Sequence, residues 1–434
     1  MKYYLAIDLG ATSGRHIIGY QKNGKIELEE IYRFETGMDV SNDGLVWNIP
    51  RLLKEIIEGI KIAFEKYHKI ESLSMDTWGV DYVLMDKEKE ISPFYAYRND
   101  RCSNGVKGVH DIIRFEELYK HTGIQFAEFN TIYQLFDDLQ KGRLEKATDY
   151  LMLPSYFSYK LSGVKTHEYT DESTGALLDA KTCNYDYEII DKLSLPKKLF
   201  NEIQMPGECI GYLKPEIQKE VGGNCKVILC ASHDTGSAFE AIEVPDDGIV
   251  LSSGTWSLLG IKSKKPIISD NSLKANYTNE GGVNYIRFLK NIMGMWINNQ
   301  MKNEIGCSQT YINKNVILTS YKETFDVNNE SLLAPKSMKE AILNLLKSNP
   351  PKNDIEIFAS IYHSLALSYK NAIEQLEEIT NKKFNSIYII GGGAKNEYLN
   401  KLVKEYTNKE VVALPIEATA LGNIKIQMKA SKEL

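Results

Sequence analysis

The chain has 434 residues, of which 43% are hydrophobic and 25% charged, with a formal net charge of −6. That is an ordinary globular balance, with room for one to three domains and a large core. The acidic excess argues against general binding to nucleic acid or acidic membranes, and no apolar run reaches membrane-spanning length. Cys102, Cys183, Cys209, Cys225, Cys230 and Cys307 are scattered, with no C-x-x-C pair and no nearby Cys/His ligand set. Such spacing fits a reducing cytosol and neither a disulfide framework nor a zinc site. Asp8 comes too early for a signal peptide, and Ser431–Leu434 matches neither common C-terminal address, so a cytoplasmic protein is expected.

Tyr3–Leu9, Arg15–Tyr20 and Lys25–Phe34 are β-prone runs separated by turns, an antiparallel meander from the first residues. Gly19–Lys25 superficially resembles a P-loop. It has Ile26 where the metal-binding hydroxyl belongs and no strand-to-helix setting, so it reads as a hairpin turn. The better phosphate candidate is Asp8–Arg15. Glycines and the hydroxyls of Thr12 and Ser13 follow a strand that ends in an acid, Arg15 adds charge, and Asp8 could hold a metal-bound water. Leu52, Leu53, Ile56, Ile57, Ile60 and Phe64 recur at helical spacing over Pro50–Lys66.

Glu71–Met75 reads as a strand entering Asp76-Thr77-Trp78-Gly79-Val80-Asp81, and Tyr82–Met85 as its continuation. Two acids with a Trp and a Gly between them suit a sugar: carboxylates accept from hydroxyls, and an indole face packs on C–H groups. A β-bulge with a buried Trp explains the same residues. Tyr97–Arg101 reaches the same pocket or forms a solvated turn. Residues 105–162 pattern as helices, at Phe115–Lys120, Thr131–Gln140 and Ser155–Leu161. Residues 165–225 are irregular, with a short helix near Tyr187–Leu193.

The β-rich run Lys226–Leu229 ends in Ser232-His233-Asp234-Thr235-Gly236, and Gly248–Leu251 ends in Ser252-Ser253-Gly254-Thr255-Trp256-Ser257. Small residues let backbone N–H groups approach an anion, and a carboxylate beside such a loop could take a proton from an attacking hydroxyl. We read this stretch as the meeting point of a phosphate donor and an alcohol acceptor. Two β-turns with an N-cap Asp are the plainer account. Tyr285–Lys290 is a strand, Asn291 sits where an N-cap would, and a helix runs to about Lys302. Residues 304–352 are an insert with two short helices. Asp354–Thr380 is a long amphipathic helix. Strand Phe384–Ile390 meets Gly391-Gly392-Gly393 before helix Asn396–Tyr406, a close approach suited to a purine or phosphate. Strand Glu410–Leu414 and helix Glu417–Ala430 complete a βαβα unit. The boundaries fall at residues 1–245 and 246–434.

These motifs, in order, resemble the FGGY carbohydrate kinases, two-lobed members of the actin/Hsp70-like ATPase fold. The carrying residues are Asp8–Arg15, Asp76–Asp81, Ala96-Tyr97-Arg98, Pro154–Tyr159, Ala231–Thr235 and Leu251–Leu258. Thr278–Gly282, Leu289–Gly294, Gly391-Gly392-Gly393 and Leu421-Gly422-Asn423-Ile424 complete the set, which covers essentially the whole chain. The resemblance implies an α/β fold of two actin-like (ribonuclease H-like) lobes, with mixed sheets flanked by helices and a cleft between them. It implies ATP-dependent phosphorylation of L-rhamnulose at O1. The alternatives are another ketose or deoxy sugar such as L-fuculose, or an impaired nucleotide-binding module. Asp234 would be the base. Gly79, His233, Asp234, Thr235 and Asn291 would contact the sugar, with Asp76 and Trp78 beside them. Ala11, Thr12, Ser13, Gly14, Arg15, Thr255, Gly392 and Gly393 would contact ATP. The register of a family Gln falls on Asn299, with Gln300 beside it. Mg²⁺ would bridge the phosphates, with Asp8 holding it through water. A monomer or homodimer acting on sugar and ATP is expected, with no nucleic-acid or membrane partner. Family members usually continue for some tens of residues past Leu421–Ile424, and the shorter end here is the one feature that favours the impaired module.

Overall fold

The computed structural model describes residues 1–333, 335–414 and 417–434. The chain forms two compact units: Met1–Ile242 with Lys262–Phe288 and Ala418–Leu434, and Glu243–Ile261 with Leu289–Glu417.

The first unit is built on a six-stranded sheet in the order Cys209–Tyr212, Lys226–Ile228, Ser72–Thr77, Tyr4–Leu9, Ser13–Lys22, Lys25–Glu35. The last three strands are the expected antiparallel meander. Tyr4–Leu9 runs parallel to Ser72–Thr77, which runs parallel to Lys226–Ile228. Every residue of Tyr4–Leu9 is buried, and strand alternation sends its side chains to two cores. Leu5, Ile7 and Leu9 pack with Leu52, Ile56, Ile60 and Phe64 of helix Ile49–Tyr67. Tyr4 and Ala6 pack with Ala420, Ile424 and Met428 of helix Ala418–Ala430. The last helix of the chain therefore belongs to the sheet that opens it. Gly422 allows this: a Cβ there would overlap the Ser237 carbonyl of helix Asp234–Glu240.

Tyr82–Asp86 does not continue the central strand. It pairs antiparallel with Lys89–Ile91 and Asp149–Met152 in a separate three-stranded sheet. Val80, at φ +71°, turns the chain between the two, a conformation that a β-branched residue adopts only when its surroundings impose it. Helices Cys102–Ile112, Phe115–Thr122, Thr131–Gln140 and Leu153–Ser162 follow. Segment 165–225, irregular in sequence, contains helix Tyr169–Glu172, helix Tyr187–Lys192 and helix Pro215–Val221.

In the second unit Gly248–Ser253 pairs antiparallel with Trp256–Ser263 and parallel with Ser386–Ile390, which pairs parallel with Glu410–Ala413. Helix Asp354–Thr380 buries Ile357, Ile361, Leu365, Ala372, Ile373 and Leu376. The insert carries helices Gln309–Val316 and Met338–Leu345. Asn291 lies within strand Ile286–Met293 and caps nothing; the next helix starts at Trp296. All six cysteines are free. Among the described residues, no helix is long and apolar enough to cross a membrane.

Candidate active site

In the first unit three acids meet where neighbouring strands end, the usual ligand edge of an open α/β sheet. Asp8 and Asp76 are register partners on parallel strands. Thr77 bridges to His233, and its N–H donates to Ser232 O at 2.9 Å, which sets Asp234 beside them. Asp8 is buried and paired with Arg15. Asp76 is 0% exposed; its Oδ2 accepts from Asn423 Nδ2 at 2.6 Å, and its Oδ1 has no hydrogen-bond partner among the described residues. Burial and the adjacent Asp8 push its carboxyl well above the usual carboxylate range. Asp76 is thus sealed inside rather than offered to a sugar.

The first glycine/hydroxyl loop is a tight hairpin tip closed by Gly10 N–H donating to Ser13 O at 2.9 Å. Thr12 is exposed, and Ala11, Ser13 and Arg15 are half-buried. Gly14 is buried, and a Cβ there would overlap the Phe34 ring, so packing alone accounts for that glycine.

Trp78 is 7% exposed. Its ring lies 4.2 Å from that of Trp47, and both indole N–H groups donate to Asp81 Oδ2, at 2.9 and 2.6 Å. The same oxygen accepts from Tyr97 N–H at 3.2 Å. Asp81 is fully buried, which raises its carboxyl to about 6 against the pull of these donors. Gly79 occupies the tight spot of the loop: a Cβ would stand 2.9 Å from Thr174 Oγ1 and 3.3 Å from Asp171 Oδ1. Arg98 lies over the Tyr97 ring at 5.4 Å, so these two belong to one cation–π pair.

Asp234 opens helix Asp234–Glu240 directly after His233. Its side chain is 33% exposed, against 6% for Asp8. Thr235 Oγ1 donates to its Oδ1 at 3.0 Å, and His233 Nε2 lies 3.4 Å from the same oxygen. The backbone before it is anchored by buried Glu168, which accepts from Ser232 N–H at 3.1 Å and from Thr170 Oγ1 at 2.7 Å. Thr170 Oγ1 accepts in turn from His233 N–H at 3.3 Å. Glu168 and Thr170 escaped the sequence reading; the acid- and hydroxyl-rich run Glu168–Thr174 in an otherwise irregular segment was the available signal.

The second unit holds Thr255, Asn291, Asn299, Gly392 and Gly393. Thr255 is exposed at the tip of the hairpin closed by Gly254 N–H to Trp256 O at 2.9 Å. The tip is tied down by Gly294 and Trp296 N–H groups, both donating to Thr255 O at 3.2 Å. Gly391, at φ +83°, would place a Cβ 2.9 Å from Ser253 O, and a Cβ on Gly393 would overlap Ser253 Oγ. Gly392 alone of the three faces open space. Asn291 is half-buried; Asn299 is exposed on helix Trp296–Ile305, with Gln300 half-buried beside it.

Two models, the N-terminal and C-terminal domains of the FGGY family of carbohydrate kinases, match residues 3–239 and 249–431. The chain belongs to the FGGY family of carbohydrate kinases. Curated relatives of this kinase include the rhamnulokinase of Oceanobacillus iheyensis, 41% identical over 99% of this chain and 93% of that protein. The rhamnulokinase of Bacillus subtilis is 37% identical over 99% of the kinase and 91% of its own length. Among solved structures, a ligand-bound xylulose kinase from Lactobacillus acidophilus superposes with TM-score 0.84 at 16% identity, covering 100% of the kinase and 90% of that chain. Plasmodium falciparum glycerol kinase with ADP gives 0.79 at 13%, with the same coverage. The kinase thus has the two-unit α/β fold of the sugar kinases.

Proposed function

We propose that this sugar kinase transfers the γ-phosphoryl group of ATP to O1 of L-rhamnulose, with Asp234 as the general base. One observation carries the reading. Of the three strand-end acids, Asp8 is ion-paired and Asp76 is sealed in, whereas Asp234 is partly exposed with one oxygen held by Thr235. A carboxylate so placed takes the proton of the sugar hydroxyl as its oxygen attacks the γ-phosphorus and the bond to the β-phosphate oxygen breaks, releasing ADP. Gly79, His233 and Thr235 surround the acceptor. The hairpin Ala11–Arg15 meets the phosphates with N–H groups, hydroxyls and one cation. Thr255, Gly392 and Asn299 serve the nucleotide, and Gly393 supports Gly392 by clearing Ser253.

Asp8 fits a Mg²⁺ role through water: its charge is already matched by Arg15, so direct ligation would break that pair, whereas a metal-bound water could donate to the carboxylate with the pair intact. Mg²⁺ held there by Asp8 through water would supply positive charge to offset the charge that develops on the transferring phosphoryl group. Relatives named rhamnulokinase support L-rhamnulose as the acceptor. The test is ADP release from Mg-ATP with L-rhamnulose, L-fuculose, L-ribulose and D-xylulose. A strong preference for L-rhamnulose is expected. Preference for another ketose would replace the substrate and keep the chemistry; no turnover with any sugar would overturn the reading.

A further inference from the structure

We propose that the buried Glu280–Arg287 pair locks His233 as the neutral tautomer with its proton on Nε2, making the ring a fixed hydrogen-bond donor to Asp234. The role assigned to the donor rests on Asp234 being the base; the tautomer itself does not. Arg287 is 0% exposed and is held by Nε–H donating to Gly281 O at 2.7 Å and by an ion pair of Nη1 with Glu280 Oε2 at 3.1 Å. Its Nη2 lies 3.1 Å from His233 Nδ1. A guanidinium has only donors, so Nδ1 must accept, and the ring proton is left to Nε2.

The competing arrangement puts the proton on Nδ1 and directs it to Glu280 Oε2, which lies at 3.4 Å. Two features oppose it. That contact is longer than the 3.1 Å one to Arg287, which has hydrogen-bond geometry. It would also turn the Nε2 lone pair toward Asp234 Oδ1, 3.4 Å away, setting acceptor against acceptor. A doubly protonated ring would press an N–H against the Arg287 donors. Both ends of the imidazole therefore select the same form. With the Thr235 hydroxyl donating to Oδ1 and the protonated Nε2 3.4 Å from the same oxygen, Asp234 is held by that oxygen, and its other oxygen is left to meet the sugar hydroxyl. Arg287 and Glu280 are positioning residues. The sequence hint was a lone Arg inside the apolar strand run Ile286-Arg287-Phe288-Leu289.

The test is a two-bond ¹H–¹⁵N correlation spectrum of the full-length kinase labelled in its histidine rings, with His233 assigned from the signal lost in His233→Gln. We expect a protonated, pyrrole-type Nε2 and a pyridine-type Nδ1. The opposite tautomer, or protons on both nitrogens, overturns the proposal. In Arg287→Gln we expect the pattern to shift and kcat to fall by roughly 10–100-fold, the range found when partners that orient a metal-bound histidine are removed. Glu280→Gln keeps the guanidinium and should show the same change more weakly. An unchanged spectrum in Arg287→Gln removes Arg287 from the role. If Asp234→Asn turns over normally while the wild-type spectrum is as stated, the assignment of the base fails and the tautomer stands.

Discussion

The strand ends of the two units are built on the same plan and filled differently. Each has a tight hairpin tip, at Gly10–Ser13 and at Gly254–Trp256, next to a parallel strand that ends in small residues or acids. In the first unit the edge is charged, with Asp8, Arg15, Asp76 and Asp234 on adjacent elements. In the second, Gly391 and Gly393 are dictated by Ser253 and Gly392 faces open space. One edge carries charged side chains; the other presents backbone in a fixed shape.

Breaking the charged edge should have the largest effect. Asp234→Asn is expected to lower kcat by about 10²–10⁴-fold while ATP binding, read by calorimetry, is retained; near-normal turnover would remove Asp234 from the base role. Gly422→Ala attacks the same acid from behind by forcing the last helix away from helix Asp234–Glu240. Overpacking of this kind costs about 1–3 kcal/mol, and both the midpoint of denaturation and kcat should fall. A variant as stable and active as the parent would mean that the two helices adjust freely.

In the second unit, shape is the target. Gly393→Ala should destabilise by about 1–3 kcal/mol and raise the KM for ATP, and Ser253→Gly in the same chain should restore part of the loss. Gly392→Ala should stay within about 0.5 kcal/mol of the parent. Equal losses at 392 and 393 would break the assignment of Gly393 to packing.

The smallest effect expected is in the pH dependence of stability, which should have opposite sign in the two units. Burial alone would lower His167, but the hydrogen bonds its ring makes to Asp149 and Glu172 outweigh it and raise the ring to about 9. Its folded value exceeds the unfolded one, so its contribution is whole below about 6.5 and is lost as pH rises through about 9. In the second unit Glu377 is held down to about 2; burial opposes this, and Lys383 and Lys409 outweigh it. Its contribution is whole above about 4.5 and is lost as pH falls toward about 2. Urea denaturation across pH should show His167→Gln removing an alkaline slope and Glu377→Gln an acid one. A His167→Gln curve parallel to the parent's between pH 7 and 9 would contradict the first.

Periodicity and turn chemistry made most of the elements readable. Thr131–Gln140 and Asp354–Thr380 have the bounds expected of them, because each carries an unbroken apolar face between capping or punctuating residues. The strand through Glu71–Met85 misled, because Val80 takes a left-handed conformation that its sequence disfavours and its neighbours enforce. Asn291 misled because a strand longer than its apolar core absorbed it.

By itself the sequence determined that the chain is a globular α/β protein, where its hairpin tips and strand ends fall, and, through the ordered motifs, its family. These properties are local, set by spacing and residue type. Only the tertiary structure decided which acids are available. Asp76, Asp81 and Asp234 look alike in a string of letters. Asn423, more than three hundred residues away in sequence, holds the first, two indoles and a backbone amide hold the second, and the third is left partly open. Charge is worth most where burial and partners are settled, and those depend on segments distant in sequence that meet only in the fold.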